Sequence, residues 1–347
     1  MIELAICFII LLVVIQLSLL VYLFIRKTKD LSFERKITTA YNELINPTIA
    51  YITEETMEEP RWPTRALIKS AVLERMLNEI AATTKKESEL ARISTLAETH
   101  LTPKYQKDLK KGSWSSRVNA LYFIEDLYIY SMKNHVWERL LSIKKKDEEY
   151  RQALRTLSTL KDDRVITFLI NEEQLPKEII ADVFRRLPIS ALELLKNKVD
   201  EGALISDELI HSFISFCGEN SLYEFLPFVE NKLTSQDVEI RIKSLRSLCY
   251  YQYCSNPEQL TNFFTSPFWE ERMFAARLTG IMLLTQYSSI LKELAGDSVW
   301  WVRYTACEAI KKMPDGEIIL EFMAAKHQDS FARDMARQSI TLGEGRK

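Results

Sequence analysis

The sequence predicts an all-α fold: an α-solenoid of stacked helix pairs preceded by a single transmembrane helix. Three observations carry this. The first is a recurring step, clearest at Asp297-Ser-Val-Trp-Trp-Val-Arg303-Tyr-Thr-Ala306. An acidic residue opens a turn, an Arg follows, and a small residue sits three positions after the Arg. From Ser244 the small position returns after 31, 31 and 30 residues, at Ala275, Ala306 and Ala336. A fixed period of this size marks a stacked repeat. The second observation is an apolar run at the N-terminus. The third is a scarcity: there are eight Gly in 347 residues and no convincing alternating strand pattern. That disfavours folds rich in tight turns and phosphate loops.

The run from Ile2 to Ile25 is broken only by Glu3, Gln16 and Ser18, with Tyr22 near its end. Twenty-odd helical residues at about 1.5 Å each cover a hydrocarbon core of about 30 Å. A cleaved signal peptide wants a basic start, a shorter run and a small-x-small site. Here the basic residues follow the run and no such site ends it, so residues 2–25 read as an uncleaved membrane anchor. Arg26, Lys27, Lys29, Arg35 and Lys36 lie on one side of the span, and no Lys or Arg precedes it. Basic residues stay cytoplasmic. The expected topology is therefore single-pass in the cell membrane, N-terminus outside and the solenoid in the cytoplasm. Asp30 and Glu34 dilute the basic cluster, which favours a topology signal over a lipid site. Five irregularly spaced Cys suit a reducing compartment better than a disulfide framework.

Four segments follow: residues 1–25 the anchor, 26–63 a juxtamembrane arm, 64–111 a helical stretch, and 112–347 the solenoid. In the arm, Leu31 to Ile45 reads as a helix that Asn46-Pro47 should end, because the residue before Pro avoids the α region. Helices are expected from Pro63 to Leu77 and from Glu87 to Leu101. These are candidates for degenerate first repeats, although their spacing departs from the later period. Further helices are read at 113–130, 136–143, 147–160, 165–170, 177–187 and 206–216. Asn220 to Leu233 reads as a helix kinked by its internal Pro227. Helix pairs follow from Asp237, Pro267 and Asp297, with a last helix from Asp329 and a fraying tail at 343–347.

The step also occurs around Arg117, Arg241, Arg272 and Arg333, with Asp237, Asp297 and Asp329 as turn-opening acids. At these positions the chain resembles HEAT repeats, in particular the bacterial HEAT-like type related to the phycocyanobilin-lyase repeats. The Leu226-Pro227 pair in a first helix belongs to the same pattern. The resemblance covers about Gly112 to Ile340; between Pro176 and Leu233 it extends to the helix pattern only. It implies an α-solenoid of HEAT-like helix pairs and carries little about function. Independently, one helix pair cannot bury its apolar face alone, whereas stacked pairs share a continuous core. Ala120, Ala153, Ser244, Ala275, Ala306 and Ala336 are then small because helices approach there. The repeated Arg is expected to bond an acid or carbonyl of a neighbouring turn.

His100, His135, His211 and His327 stand apart, without a metal-ligand partner at helical spacing. Cys249 and Cys254 read as core thiols. No nucleotide-binding glycine loop and no nucleophile elbow occurs. No cofactor and no metal are expected, and the sequence reading is a protein that is not an enzyme. A net charge of -2 argues against nucleic acid as a partner. The alternative is an enzyme on a HEAT-like scaffold, such as the DNA alkylpurine glycosylases, which needs a basic groove and free access to DNA. The favoured reading is a membrane-anchored cytoplasmic scaffold that binds a membrane-associated protein partner. By analogy it would be an accessory subunit of a bacterial membrane assembly, for example glycosyltransferase or exopolysaccharide machinery.

The expected partner site is an aromatic stripe. Trp269 and Trp300 lie three residues before the repeated Arg, as does Trp114, while Trp301 and Phe331 lie two before it. Repeat-equivalent positions align along one edge. One reading is that each ring plugs its turn; the other is a partner groove, since exposed Trp is a common binding hot spot. Trp300 and Trp301 are adjacent, so one is expected to pack and the other to be free.

Overall fold

In the computed structural model, which describes residues 2–172 and 175–344, the first element is one unbroken helix, α1 (Ile2–Ile52). It is the one helix among the described residues that is long and apolar enough to cross a membrane. From Leu11 to Lys36 its residues are exposed, and Ile37, next along the helix, is buried. Beyond that point it packs on α2 (Ala66–Thr83) through Ile37, Val72 and Met76, with Tyr41, Leu44, Trp62 and Ile68 around them. The expected break at Pro47 does not occur. Proline removes one hydrogen bond and crowds the carbonyl four residues back, here that of Glu43, an exposed residue. Tertiary burial of Thr48 and Ile52 outweighs that cost. Arg92 Nη1 also donates to the Tyr51 carbonyl at 2.8 Å and secures the last turn.

α3 (Glu87–Lys111) likewise runs past its expected end, with Pro103 inside it. It is held by buried Ile93, Leu96, Ala97, Leu101, Tyr105 and Leu109. α4 (Trp114–Asp126), α5 (Lys133–Ser142) and α6 (Glu148–Thr159) follow, with α4 lying along α6. Ser113 and Asp147 cap α4 and α6 by accepting the amide hydrogens of Ser116 and Glu149, as short polar side chains do at N-caps. Chain contacts divide the protein into two units, Met1–Val165 and Ile166–Lys347. α7 (Arg164–Asn171) lies at the division.

The second unit contains α8 (Lys177–Phe184), α9 (Ile189–Asp200), α10 (Asp207–Glu219), α11 (Leu226–Asn231), α12 (Val238–Tyr251) and α13 (Thr261–Phe264). It continues with α14 (Trp269–Ile281), α15 (Ser288–Leu294), α16 (Trp300–Lys312), α17 (Gly316–Lys326) and α18 (Ser330–Glu344). The last residues of the tail expected to fray, 345–347, lie outside the described residues. α8, α10, α12, α14 and α16 stack in sequence, and α11, α13, α15 and α17 pack against this stack. The fold is all-α, an α-solenoid of HEAT-like helix pairs. α9 escaped the sequence reading because it buries only a narrow stripe, Ala191, Leu192 and Leu195, while Ile189 and Leu194 are exposed and blur its apolar period. Pro227 does not kink a helix: it stands at the start of α11, after a 3-10 turn at Tyr223–Phe225. In the first turn its missing amide hydrogen would be unpaired anyway, so proline is accommodated.

The six small step positions are all buried. Two further close approaches between helices involve glycines. A Cβ on Gly218 would meet Ser247 Cβ at 2.4 Å, and one on Gly280 would meet Ala309 Cα at 2.6 Å.

Candidate functional site

Each repeated Arg clamps its own turn. Nη1 of Arg241, Arg272, Arg303 and Arg333 donates to the carbonyl six residues upstream, at 2.7–2.8 Å. Arg117 Nη1 donates to the carbonyl of Gly112, five residues upstream, at 2.8 Å. The other edge of the guanidinium reaches the next repeat. Arg117 Nε and Nη2 donate to Glu149 at 2.6 and 2.8 Å, Arg241 Nε to Glu271 at 2.7 Å, and Arg272 Nε and Nη2 to Asp297 at 2.7 and 2.9 Å. At Arg303 the acid is replaced by an aromatic ring, with the guanidinium 5.0 Å from the Phe331 centroid.

The turn-opening acids bond backbone amides of their turns, Asp237 as the N-cap of α12 and Asp297 two residues before the N-cap Val299 of α16. Asp237 accepts from Glu239 N, Asp297 from Val299 N and Asp329 from Ala332 N, at 2.8–2.9 Å. Burial alone pushes the Asp297 carboxyl up, but the Arg272 bonds and the Val299 amide outweigh it and hold the group below the usual carboxylate range. The acceptors Glu149 and Glu271 were missed in the sequence. They lie 32 and 30 residues after their Arg partners, and nothing local marks them.

The aromatic positions divide. Trp269 is half-buried, whereas Trp300 is 40% exposed, Trp301 54% and Phe331 61%. The expectation that one of the adjacent tryptophans packs away is corrected. Their rings meet edge to face with centroids 4.7 Å apart, and Trp300 stacks on Tyr304 at 5.1 Å. Two neighbouring rings at a helix start can both lie across the surface when each supplies the other's contact. In the first unit Trp114 is exposed and donates to Asp147 at 3.3 Å.

A groove of about 970 Å³ crosses α8, α10 and α12 of the second unit. Its walls carry both signs of charge, already paired among themselves: Arg185 with Asp182 at 3.2 Å, Lys243 with Glu239 at 3.2 Å and Arg246 with Glu219 at 3.6 Å. His211 also lines it, with Nε2 3.6 Å from Asp237. Small-molecule sites are mostly apolar clefts. This lining instead resembles the polar rim of a protein interface.

A second polar cluster, also missed in the sequence, lies in the first unit. Glu59 accepts from Trp62 Nε1 at 2.5 Å and bonds His100 Nε2, while His100 Nδ1 faces Lys69 Nζ at 2.8 Å. It ties the segment after α1 to α2 and α3. Cys217, Cys249, Cys254 and Cys307 are free thiols, and Cys217, Cys254 and Cys307 are buried. Burial pushes the thiols of Cys249 and Cys307 up to about 12 and that of Cys254 up to about 11. Among the described residues no three His, Cys, Asp or Glu side chains converge on a metal-sized site.

No protein-family model matches the chain, and no curated protein sequence matches it. Solved structures do. An engineered protein aligns at a TM-score of 0.36 and 13% identity, over 80% of this chain and 96% of its own. The complex of CpcE and CpcF of phycocyanin lyase from Nostoc sp. PCC7120 aligns at 0.28 and 12%, over 69% and 92%. Human deoxyhypusine hydroxylase in complex with glycerol aligns at 0.29 and 12%, over 89% and 98%. What is shared is the helical-repeat fold. Two of these three are enzymes by name, so this fold together with a lack of short motifs does not exclude catalysis. The expectation that the chain is not an enzyme is thereby overturned.

Proposed function

We propose that the chain is a membrane-anchored scaffold whose second unit holds a protein partner belonging to a membrane assembly. The observation that carries this reading is the exposed patch of Trp300, Trp301 and Phe331 at the starts of consecutive repeat helices. Large exposed aromatics rimmed by polar groups are typical binding anchors, and Trp269 extends the row. A subunit serving envelope or exopolysaccharide glycosyltransferase machinery is the kind of assembly this combination suits. The anchor is residues 2–25, with the N-terminus outside and everything from Arg26 onward in the cytoplasm.

The combined variant Trp301→Ala and Phe331→Ala should keep its melting temperature, because exposed positions usually shift stability by within about 0.5 kcal/mol. Recovery of the partner from solubilised membranes should fall at least about tenfold, the size expected on losing one hot spot. A parallel fall in melting temperature and recovery would instead make the rings core. Topology is checked separately. A phosphatase fused after Lys347 should be inactive and a cytoplasmic reporter active; the reverse pattern would invert the protein.

A further inference from the structure

A pocket of about 490 Å³ lies between α1 and α2, on the side of the first unit nearest the apolar span. Arg35, Lys36 and Arg61 line it, with Ala40, Leu44, Pro63 and Ile68 as apolar wall and Glu43 as the one carboxylate. We infer that this pocket binds the headgroup of an anionic phospholipid from the membrane that holds the anchor. The inference rests on the anchor reading of residues 2–25.

Three features of the structure support it, and the sequence shows none of them. First, α1 is continuous from the apolar run into the first unit, so the pocket has a defined height. Arg35 follows Ile25 by ten residues, which a helix spans in about 15 Å. The headgroup layer takes up roughly 5–8 Å of that, and the long side chains of Arg35 and Lys36 tilt toward the helix N-terminus and so toward that layer. Second, the two acids that dilute the basic cluster in sequence face elsewhere. Glu34 is 3.6 Å from Arg75, and Asp30, one helical turn earlier, lies in the same row. Lys29, seven residues before Lys36, falls instead on the pocket side. Third, Arg61 joins from a distant segment. Its neighbour Trp62 is fixed by the Glu59 bond and by an edge contact to His100 at 5.7 Å. The segment that carries the third cation is therefore held in place before any lipid arrives. No ion pair is recorded for Arg35, Lys36 or Arg61 among the described residues, so their charge is available to a phosphate.

The test uses the full chain in detergent, titrated with dioctanoyl phosphatidylglycerol, dioctanoyl phosphatidylcholine or inorganic phosphate, with melting temperature as readout. The expected result is a saturable rise with phosphatidylglycerol alone. The variant Arg35→Gln, Lys36→Gln, Arg61→Gln should melt like the parent without lipid and need at least about tenfold more phosphatidylglycerol. Arg61→Glu, outside any helix, is the second variant should the triple one fold poorly, with the same expected shift. An equal rise with phosphatidylcholine, or an unchanged titration in the variants, overturns the proposal. A rise reproduced by phosphate alone also overturns it, in favour of a soluble phosphorylated ligand. Carbonate washing of membranes tests the anchor by itself. Release would sink the anchor reading, whereas retention with no phosphatidylglycerol effect would sink only the lipid site.

Discussion

Replacing Glu149 with Ala should destabilise the first unit by about 3–5 kcal/mol, the usual result of breaking a buried ion pair from one side. Its side chain is 3% exposed and accepts from Arg117 Nε, Arg117 Nη2 and Arg139 Nε at 2.6–2.8 Å. Removing it leaves two largely buried guanidinium groups facing each other without a counter-charge. Glu149→Gln keeps an acceptor of the same shape and should cost less. Hydrogen exchange on α4 and α6 checks both, since a loss confined to this contact must appear there first. No change in protection on those helices would show that the three-way pair is incidental.

The same residue sets a pH dependence. Burial pushes the Glu149 carboxyl up, but the bonds from Arg117 and Arg139 prevail and hold it below the usual carboxylate range. A folded-state pKa lower than the unfolded one means that the unfolded chain binds the proton more readily. The contribution is thus complete above the ordinary carboxylate range and is lost as pH falls through the depressed folded value. In Glu149→Ala the acid-induced loss of stability at α4 and α6 should be shallower than in the parent.

Gly280→Ala is expected to destabilise the second unit by about 2–3 kcal/mol, as overpacking does in a tight core. In an isolated helix the same change would stabilise by about 1 kcal/mol. The sign reverses because the added Cβ would sit 2.6 Å from the Cα and 2.7 Å from the Cβ of Ala309. Backbone on both sides must separate, so α14 and α16 cannot keep their spacing. A thermal melt of the variant decides it; a higher melting temperature than the parent would show that the helices part freely there. Gly280→Ala with Ala309→Gly should recover only part of the loss, because the contact with the Cβ is removed while the 2.6 Å approach to the Cα at position 309 remains.

The features legible along the chain were those with a local signature. The apolar run, the acid-turn-Arg step and the small residues at 31-residue spacing each express a single physical demand within one repeat: a span to fill, a helix to cap, a neighbour to admit. Together they suffice for helix pairs, for their stacking and for the helix that opens the chain. Elements without such a signature were misread. α9 has a narrow stripe. The prolines at 47, 103 and 227 have effects that depend on what surrounds them. Pro47 looks like a helix end from its neighbours, yet burial of Thr48 and Ile52 makes the helix continuous.

Pairing across repeats was decided only in three dimensions. Glu149 and Glu271 become partners of Arg117 and Arg241 because successive helices bring them within reach. Asp297, read as a turn opener, also carries the charge that Arg272 needs. The same holds for the surface. Trp300 and Trp301 are both exposed because each ring rests on the other. Arg61 stands beside Arg35 and Lys36 only because α1 turns back into α2 through a clamped segment. Local sequence specifies what a residue can do within a few ångströms along its own helix. Which charges meet, and which remain open to a partner or a lipid, depends on side chains some 30 residues away, and only packing brings those together.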